Sequence, residues 1–464
     1  MRDLRKKILL ESGKTVSRKA RSRPESTRAS PGGSPAASRN GSRAASRYAS
    51  EEEDMSGSDY DDSLASSVIN SDDGEEASAT WPERLRDRIA ELLDRKRSST
   101  KGRESTLAAY THLVRHHYAA EYVENQFNEL IPALMKVVRG SSNNDETLAA
   151  LKALTMTILS TQSETVYDHV YPTLKGVCHD SEEAPVKVEA IEAMCIATMC
   201  GGGSVTAAEE LMEFLMEIIE SDGHSIEAAD NGLVVGAALA AWGFVASNLD
   251  DLQDQSEQAL EAFTEQLDST DVEVQIAAGT NIALIFEAAR EHEEETDESW
   301  NLRYDQHRLL QRMIALTKES SKSISKKSRK QLHASFNSVL TSLEHGKGPG
   351  YSTARRMASN PHTGGSKADF SQDFKEYGYR EKIRIHNISM VIDSWSLSAR
   401  LEMLKPIIGG GLAVHYLENP AVKDLLDSAH VELVSAPRKE RRDDEYLSPP
   451  RKSHGTKAAR GVGF

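Results

Sequence analysis

The sequence predicts an all-α fold: an armadillo/HEAT-like α-solenoid followed by a small C-terminal module and flanked by disordered charged tails. Three observations lead there. Apolar, alanine-rich segments begin near Glu104, Glu146, Val186, Ala229 and Val272, each about 40 to 43 residues after the last, which is the period of paired-helix repeats. Amphipathic segments suited to second helices alternate with them, at 127–138, 166–177, 207–219, 256–267 and 306–317. Aromatic residues are only 6% of the chain while charged residues reach 28%, a balance that favours helices and leaves part of the chain without material for a core.

The first kind of segment is clearest at residues 271–290. Asp271 is a suitable N-cap, and the residues after it are apolar on nearly every side, with Glu273, Thr280 and Glu287 as the one polar strip. Such a helix has to be buried among other helices. Ala277, Ala278 and Gly279 leave room for a neighbour to come close, while Ile282, Ile285 and Phe286 fill space further along. The second kind of segment is less apolar, and two of its members share a phrase, Ile131-Pro132-Ala133-Leu134 and Tyr171-Pro172-Thr173-Leu174, with the proline expected near a helix start. No unit of two helices can bury its apolar face alone, so stacking is expected to build one continuous core and a curved binding surface. Residues 141–145, 201–203 and 291–298 are the expected inter-helix loops, the last strongly acidic.

On either side the composition changes. Residues 1–80 are rich in Ser, Arg, Ala and Gly and then in Asp and Glu, too poor in large apolar residues to offset the entropy of ordering. Within them Arg39-Asn-Gly-Ser42, Arg43-Ala-Ala-Ser46 and Arg47-Tyr-Ala-Ser50 repeat a unit that basic-directed kinases favour. The helical array is expected over 81–345, closed by a helix whose apolar side is Leu332, Phe336, Val339, Leu340 and Leu343. Residues 346–376 read as a flexible linker, 377–432 as a small second module, and 433–464 as a basic tail. Whether 383–392 is strand or helix is left open by periodicity.

Net charge is −16, distributed as roughly +10 over residues 1–50, −11 over 51–76, −20 over 77–345 and +5 over the rest. An acidic body with basic ends does not clamp nucleic acid along its main surface. Phosphate contacts therefore fall to the tails and to local basic patches, chiefly Lys326-Lys327-Ser328-Arg329-Lys330, which suits either RNA phosphates or nuclear import. Cys178, Cys195 and Cys200 lack paired short spacing, so neither a disulfide framework nor a zinc module is expected. No apolar run reads as a membrane span, and the patch in residues 1–10 is too short for a signal peptide, which together predict an intracellular, soluble protein.

Enzymatic chemistry finds little support. Gly201-Gly202-Gly203-Ser204 lacks the lysine and spacing of a phosphate loop. His112 and His116 share a helix face without a third ligand or an intervening glutamate, and Cys195 and Cys200 are expected to pack in the interior. Asp250-Asp251 and Glu293-Glu294-Glu295 read as solvated loop acids. No cofactor, metal or small-molecule substrate is expected, and Trp395 is expected in the core, not as a base-stacking residue.

Several phrases together resemble the interferon-related developmental regulator family. They are Asp271-Val-Glu-Val-Gln-Ile-Ala-Ala-Gly279 continuing through Ile282 to Arg290; Ser328-Arg329-Lys330-Gln331 through Ser335-Phe336; and Ile392-Asp393-Ser394-Trp395 with Lys405, Gly409, Gly411, His415, Asn419 and Asp424. The resemblance covers roughly residues 80–430, apart from the linker. Leu332, His333 and Asn337 stand where the family pattern leads one to expect more positive charge. What the resemblance implies is a non-catalytic α-solenoid of the cytoplasm or nucleus. One implied role is ribosome-associated regulation of translation, with ribosomal proteins on the acidic array and rRNA at Lys322, Lys326, Lys327, Arg329, Lys330, Arg380, Lys382 and Arg384. The other is transcriptional co-regulation, with chromatin corepressor or histone-modifying subunits held on the concave face. A karyopherin-like carrier would share the architecture but is disfavoured by so short an array.

Overall fold

The computed structural model describes residues 80–94, 99–141, 143–161, 163–298, 300, 302, 304–318, 325–351, 355–357, 374–376, 379, 381–385 and 388–433. The expected charged tails and the repeated Arg-x-x-Ser units lie outside them.

The array is built from α1 (Trp81–Leu93), α2 (Thr100–His116), a short α3 (Ala120–Glu124), α4 (Phe127–Gly140), α5 (Asn144–Ser160), α6 (Val166–Asp180), α7 (Ala184–Cys200), α8 (Val205–Glu220), α9 (Gly232–Ala246), α10 (Gln253–Gln266), α11 (Val272–Thr296), α12 (Gln306–Lys318) and α13 (Lys326–His345). Helices α2, α5, α7, α9, α11 and α13 pack one on the next as an inner layer, and each takes one partner from an outer layer of α1, α4, α6, α8, α10 and α12. The two kinds of segment read from the sequence are these two layers. Inner helices are buried nearly all round, as α7 and α9 show, whereas outer helices bury one stripe and leave the other to solvent.

Local signals place the helix starts. Asn143, Ser204, Asn231, Asp271 and Ser325 each accept a first-turn N–H with the side-chain oxygen, so their helices begin at the next residue. The cap at Asn231 explains why the helix expected near Ala229 starts at Gly232. Close approach at Gly279 is as expected: a Cβ there would stand 3.0 Å from the Phe336 ring, which lets α13 settle onto α11.

Two local expectations are corrected. Pro132 and Pro172 lie inside α4 and α6, beyond the first turn, so each removes an interior helical N–H. Residues 291–296 are helical, not loop: the glutamates are good helix formers, and α11 runs on until Asp297, whose φ of 57° ends it. With that extension α11 reaches the length and apolarity of a membrane span. Here that surface is spent on α9, α10 and α13. Beside these corrections, the polar strip Glu273, Thr280, Glu287 has one buried member, Glu287.

Among the described residues the inner layer carries one buried lysine. Lys187 of α7 is 1% exposed, and its Nζ donates to the carbonyls of Cys178 (2.7 Å), His179 (3.0 Å) and Ile226 (2.7 Å). The last turn of α6 leaves carbonyls without helical partners. Lys187 satisfies two of them and ties in the turn that precedes α9.

Beyond α13 the chain makes strands as well as helices. Within the expected linker, β1 (Arg355–Met357) pairs antiparallel with β2 (Phe374–Glu376). The segment left open by periodicity is a hairpin of β3 (Lys382–Ile385) and β4 (Ile388–Val391). Then follow α14 (Trp395–Ile408), a 3-10 turn (Gly409–Gly411), α15 (Leu412–Glu418), α16 (Pro420–Leu425) and β5 (His430–Leu433), which pairs with β4. These helices do not stand apart from the array. α14 lies on α5, α9 and α11, α15 on α2, and α16 on α5, so the segment crosses the inner layer and shares its core.

Candidate interaction surfaces

Four of the predicted basic residues lie at the start of α13 behind the Ser325 cap, Lys326, Lys327 and Arg329 in the first turn and Lys330 opening the second. The three lysines are exposed and Arg329 is half-buried. No acid accompanies them in that turn, although the positive end of the helix dipole favours one. Cationic side chains and first-turn N–H groups therefore point the same sign of potential outward. Gln331 Nε2 reaches Glu273 Oε2 at 3.3 Å, fixing this turn beside the start of α11.

Lys382 and Arg384 are exposed on one face of β3, alternating with Ile383 and the buried Ile385 on the other, as a half-covered strand requires. Glu381, just before β3, packs against Gly350, whose N–H donates to Ser338 Oγ at 2.8 Å. That sets the hairpin beside the middle of α13, about 12 Å along the axis from Lys330 at the helical rise. Both basic groups thus lie along α13, one at its start and one on the hairpin beside its middle. Lys322 and Arg380 lie outside the described residues.

Two neighbouring helices of the outer layer, α8 and α10, are acidic. Glu210, Glu213, Glu217 and Glu220 form one exposed face of α8, and Asp254, Glu257, Glu261, Glu265 and Asp268 form one along α10 and its end. Gln258 Nε2 bonds Glu220 Oε1 at 2.8 Å, so the two stripes adjoin. Between α10 and α12 a groove of about 850 Å³ has these α10 acids on one wall and Tyr304, Arg308 and Arg312 on the other. Arg312 pairs with Asp268 across its end.

The inner layer is covered by the chain itself, and the fastening is largely polar. Three inner helices end in carbonyls that side chains of the C-terminal segment cap. His415 Nε2 donates to Val114 O of α2 at 3.0 Å; Asn419 Nδ2 donates to Leu159 O of α5 at 3.0 Å; Arg400 donates to Ser247 O, just past α9. Arg400 also reaches Ser247 Oγ (3.3 Å) and Leu425 O (3.2 Å). Trp395 is core, 4% exposed, with Nε1 donating to Ser342 Oγ at 2.8 Å. Glu287 Oε1 accepts the Ser396 N–H at 3.0 Å, serving the first turn of α14 together with the Ser394 cap. Burial holds the Glu287 carboxyl up at about 7, against the opposing pull of the Trp395 and Ser396 N–H groups. Sequence reasoning did not find Glu287, Arg400, His415 or Asn419 as docking residues, since their partners are backbone atoms 109 to 301 residues away.

Among the described residues no cluster of three His, Cys, Asp or Glu side chains is placed to hold a metal. His112 and His116 stack at 4.2 Å, with His116 Nδ1 turned to the His112 carbonyl. Cys178 and Cys195 are buried, and burial pushes the Cys178 thiol up to about 12, far from the range of a nucleophile.

Two layers of paired helices, closed by their own C-terminal segment and presenting acidic and basic faces, define a helical-repeat protein of the armadillo/HEAT kind. The chain belongs to the interferon-related developmental regulator family, whose model matches residues 45–344, and is a regulatory protein of that family. It is 28% identical over 363 residues to an uncharacterized protein of Schizosaccharomyces pombe, covering 75% of each chain. It is 22% identical over 364 residues to human interferon-related developmental regulator 1, covering 74% of this chain and 73% of that one. To mouse interferon-related developmental regulator 2 it is 23% identical over 378 residues, covering 76% and 74%.

Proposed function

We propose that this chain is a non-catalytic, ribosome-associated regulator of translation in the cytoplasm. The acidic faces of α8 and α10 would meet basic ribosomal proteins while the N-terminal end of α13, with Lys382 and Arg384, touches rRNA phosphates. The observation that carries this reading is the exposed turn of Lys326, Lys327 and Lys330 at the positive end of α13, in an otherwise acidic array. Arg329 beside them, and Lys322 and Arg380 nearby in sequence, extend the same charge. Opposite signs on separate faces suit a particle that offers both phosphate and basic protein.

The alternative, a nuclear scaffold gripping corepressor subunits on the inner layer, is less well supported because α14, α15 and α16 already cover much of that layer. The test is co-sedimentation of the full chain with ribosomes across a salt series. Association should fall steeply with salt, since phosphate contacts release counterions, and Lys326→Glu with Lys327→Glu and Lys330→Glu should remove most of it. Ribosome binding unchanged by the triple reversal, or a tagged chain confined to the nucleus, would reject the reading.

A further inference from the structure

His415 is fully buried where α15 meets the end of α2, and its two ring nitrogens have fixed roles. Nε2 faces the Val114 carbonyl at 3.0 Å, which only accepts, so Nε2 carries a proton. Nδ1 faces Asn419 Nδ2 at 3.2 Å. That amide is held the same way round by two other bonds, Nδ2 to Leu159 O at 3.0 Å and Oδ1 from Ala421 N at 3.0 Å. The Asn419 amide therefore donates to Nδ1, which must be a lone pair. The network is complete only with a neutral imidazole.

We propose that a proton taken up from solvent at His415 Nδ1 releases α15 and α16 from the inner layer, making this end of the closing segment an acid-operated latch. A second ring proton would set N–H against N–H. Asn419 cannot turn its oxygen to the ring without giving up both Leu159 and Ala421, the contacts that seat α16 on α5 and cap it.

The surroundings do not rescue the charged ring. From α2 and the residues after it come Arg115, His116 and His117, and the Tyr118 ring, set edge-on with its centre 6.3 Å from that of the imidazole. Burial holds the ring neutral and His116 adds to that, outweighing the pull of the Val114 and Arg115 carbonyls and of Glu418 on α15 itself, so His415 protonates below its ordinary range. α14 sends Arg400 to Ser247 and pairs Glu402 with Lys405 at the surface, and Lys423 and Asp424 of α16 are exposed. Because the docked ring binds its proton less readily than the free one, the latch is fully closed above the free pKa and weakens as pH falls below it. Glu287, under α14, has the opposite sign, so acid does not loosen that helix through it. The release is confined to residues 412–425.

Amide hydrogen exchange of the full chain at pH 7.5 and pH 5.0, corrected for intrinsic rates, tests this. Residues 412–425 should lose protection by about tenfold at the lower pH, which lies more than one unit below the titration of a free imidazole, while α14 and α7 keep theirs. His415→Gln places an amide N–H toward Val114 and an oxygen toward Asn419 without a titrating group, and should abolish the loss. Equal loss in wild type and His415→Gln, or none in wild type, would overturn the proposal. Should His415→Gln not fold, an NMR titration of the wild-type imidazole decides: protonation coincident with the local loss supports the latch, and a ring neutral until the whole array unfolds rejects it.

Discussion

At the level of single side chains, the interior holds ionisable groups whose costs are met by specific partners. Lys187 is satisfied by three carbonyls, so Lys187→Met keeps the bulk but strands acceptors, and urea unfolding should show a loss of about 3 kcal/mol. Glu287 gives a pH test with a definite sign. Its folded-state pKa, raised by burial to about 7 from an ordinary 4.5, means that its stabilising contribution is complete below 4.5 and is lost as pH rises through 7. Glu287→Gln lacks that titration. Relative to wild type its unfolding free energy should therefore rise between pH 5 and pH 8 by on the order of 2 kcal/mol; a difference independent of pH would show that Glu287 is not the buried group described. Gly411 is equally informative, because a Cβ there would fall 1.7 Å from Arg115 O. Gly411→Ala should loosen residues 409–425 in hydrogen exchange and leave α7 and α9 unchanged.

At the level of helices and strands, much was legible from the sequence, and the reason is locality. Asn143, Asn231, Asp271 and Ser325 announce their helices one residue ahead, and the all-round apolarity of 184–200 and 232–246 distinguishes inner from outer helices. What was not legible depends on distance. Glu287 belongs by spacing to the polar strip of α11, and nothing nearby in sequence says that Ser396 will bring an N–H to it. The hairpin of β3 and β4 was undecidable by periodicity and becomes strand because β5, some forty residues on, supplies the third member. The basic turn was visible as composition, but not its position at the start of α13. That position makes a paired prediction: the reversal of Lys326, Lys327 and Lys330 that removes ribosome association should raise thermal stability slightly, by about 0.3–1 kcal/mol for each of Lys326 and Lys327 from the helix dipole. Loss of both together would point to simple unfolding.

At the level of the whole chain, the array and its C-terminal segment form one core. Trp395, Leu397, Leu401, Leu404 and Ile408 of α14 are buried against the inner layer. A chain ending at Asp393 should therefore unfold at a temperature at least several degrees lower and expose apolar surface to dye, as burial at roughly 25 cal/mol per Å² requires. An unchanged melting temperature would mean that the segment is a separate module, as the linker-like composition of 346–376 suggested. The same covering directs attention outward, to the acidic stripes of α8 and α10 and to the basic groups of α13, as the faces left for partners.

The covering also links the two ends of the array in time. His415 meets Val114 and Arg115 meets Pro406 across separations of 301 and 291 residues. At elongation rates of about 5–20 residues per second, α2 and α5 emerge from the exit tunnel on the order of 15 to 60 seconds before the residues that cap them. Throughout that interval the nascent array has its first helix ends uncapped, so chaperone capture and misassembly should concentrate on α2 and α5 and end when α15 arrives.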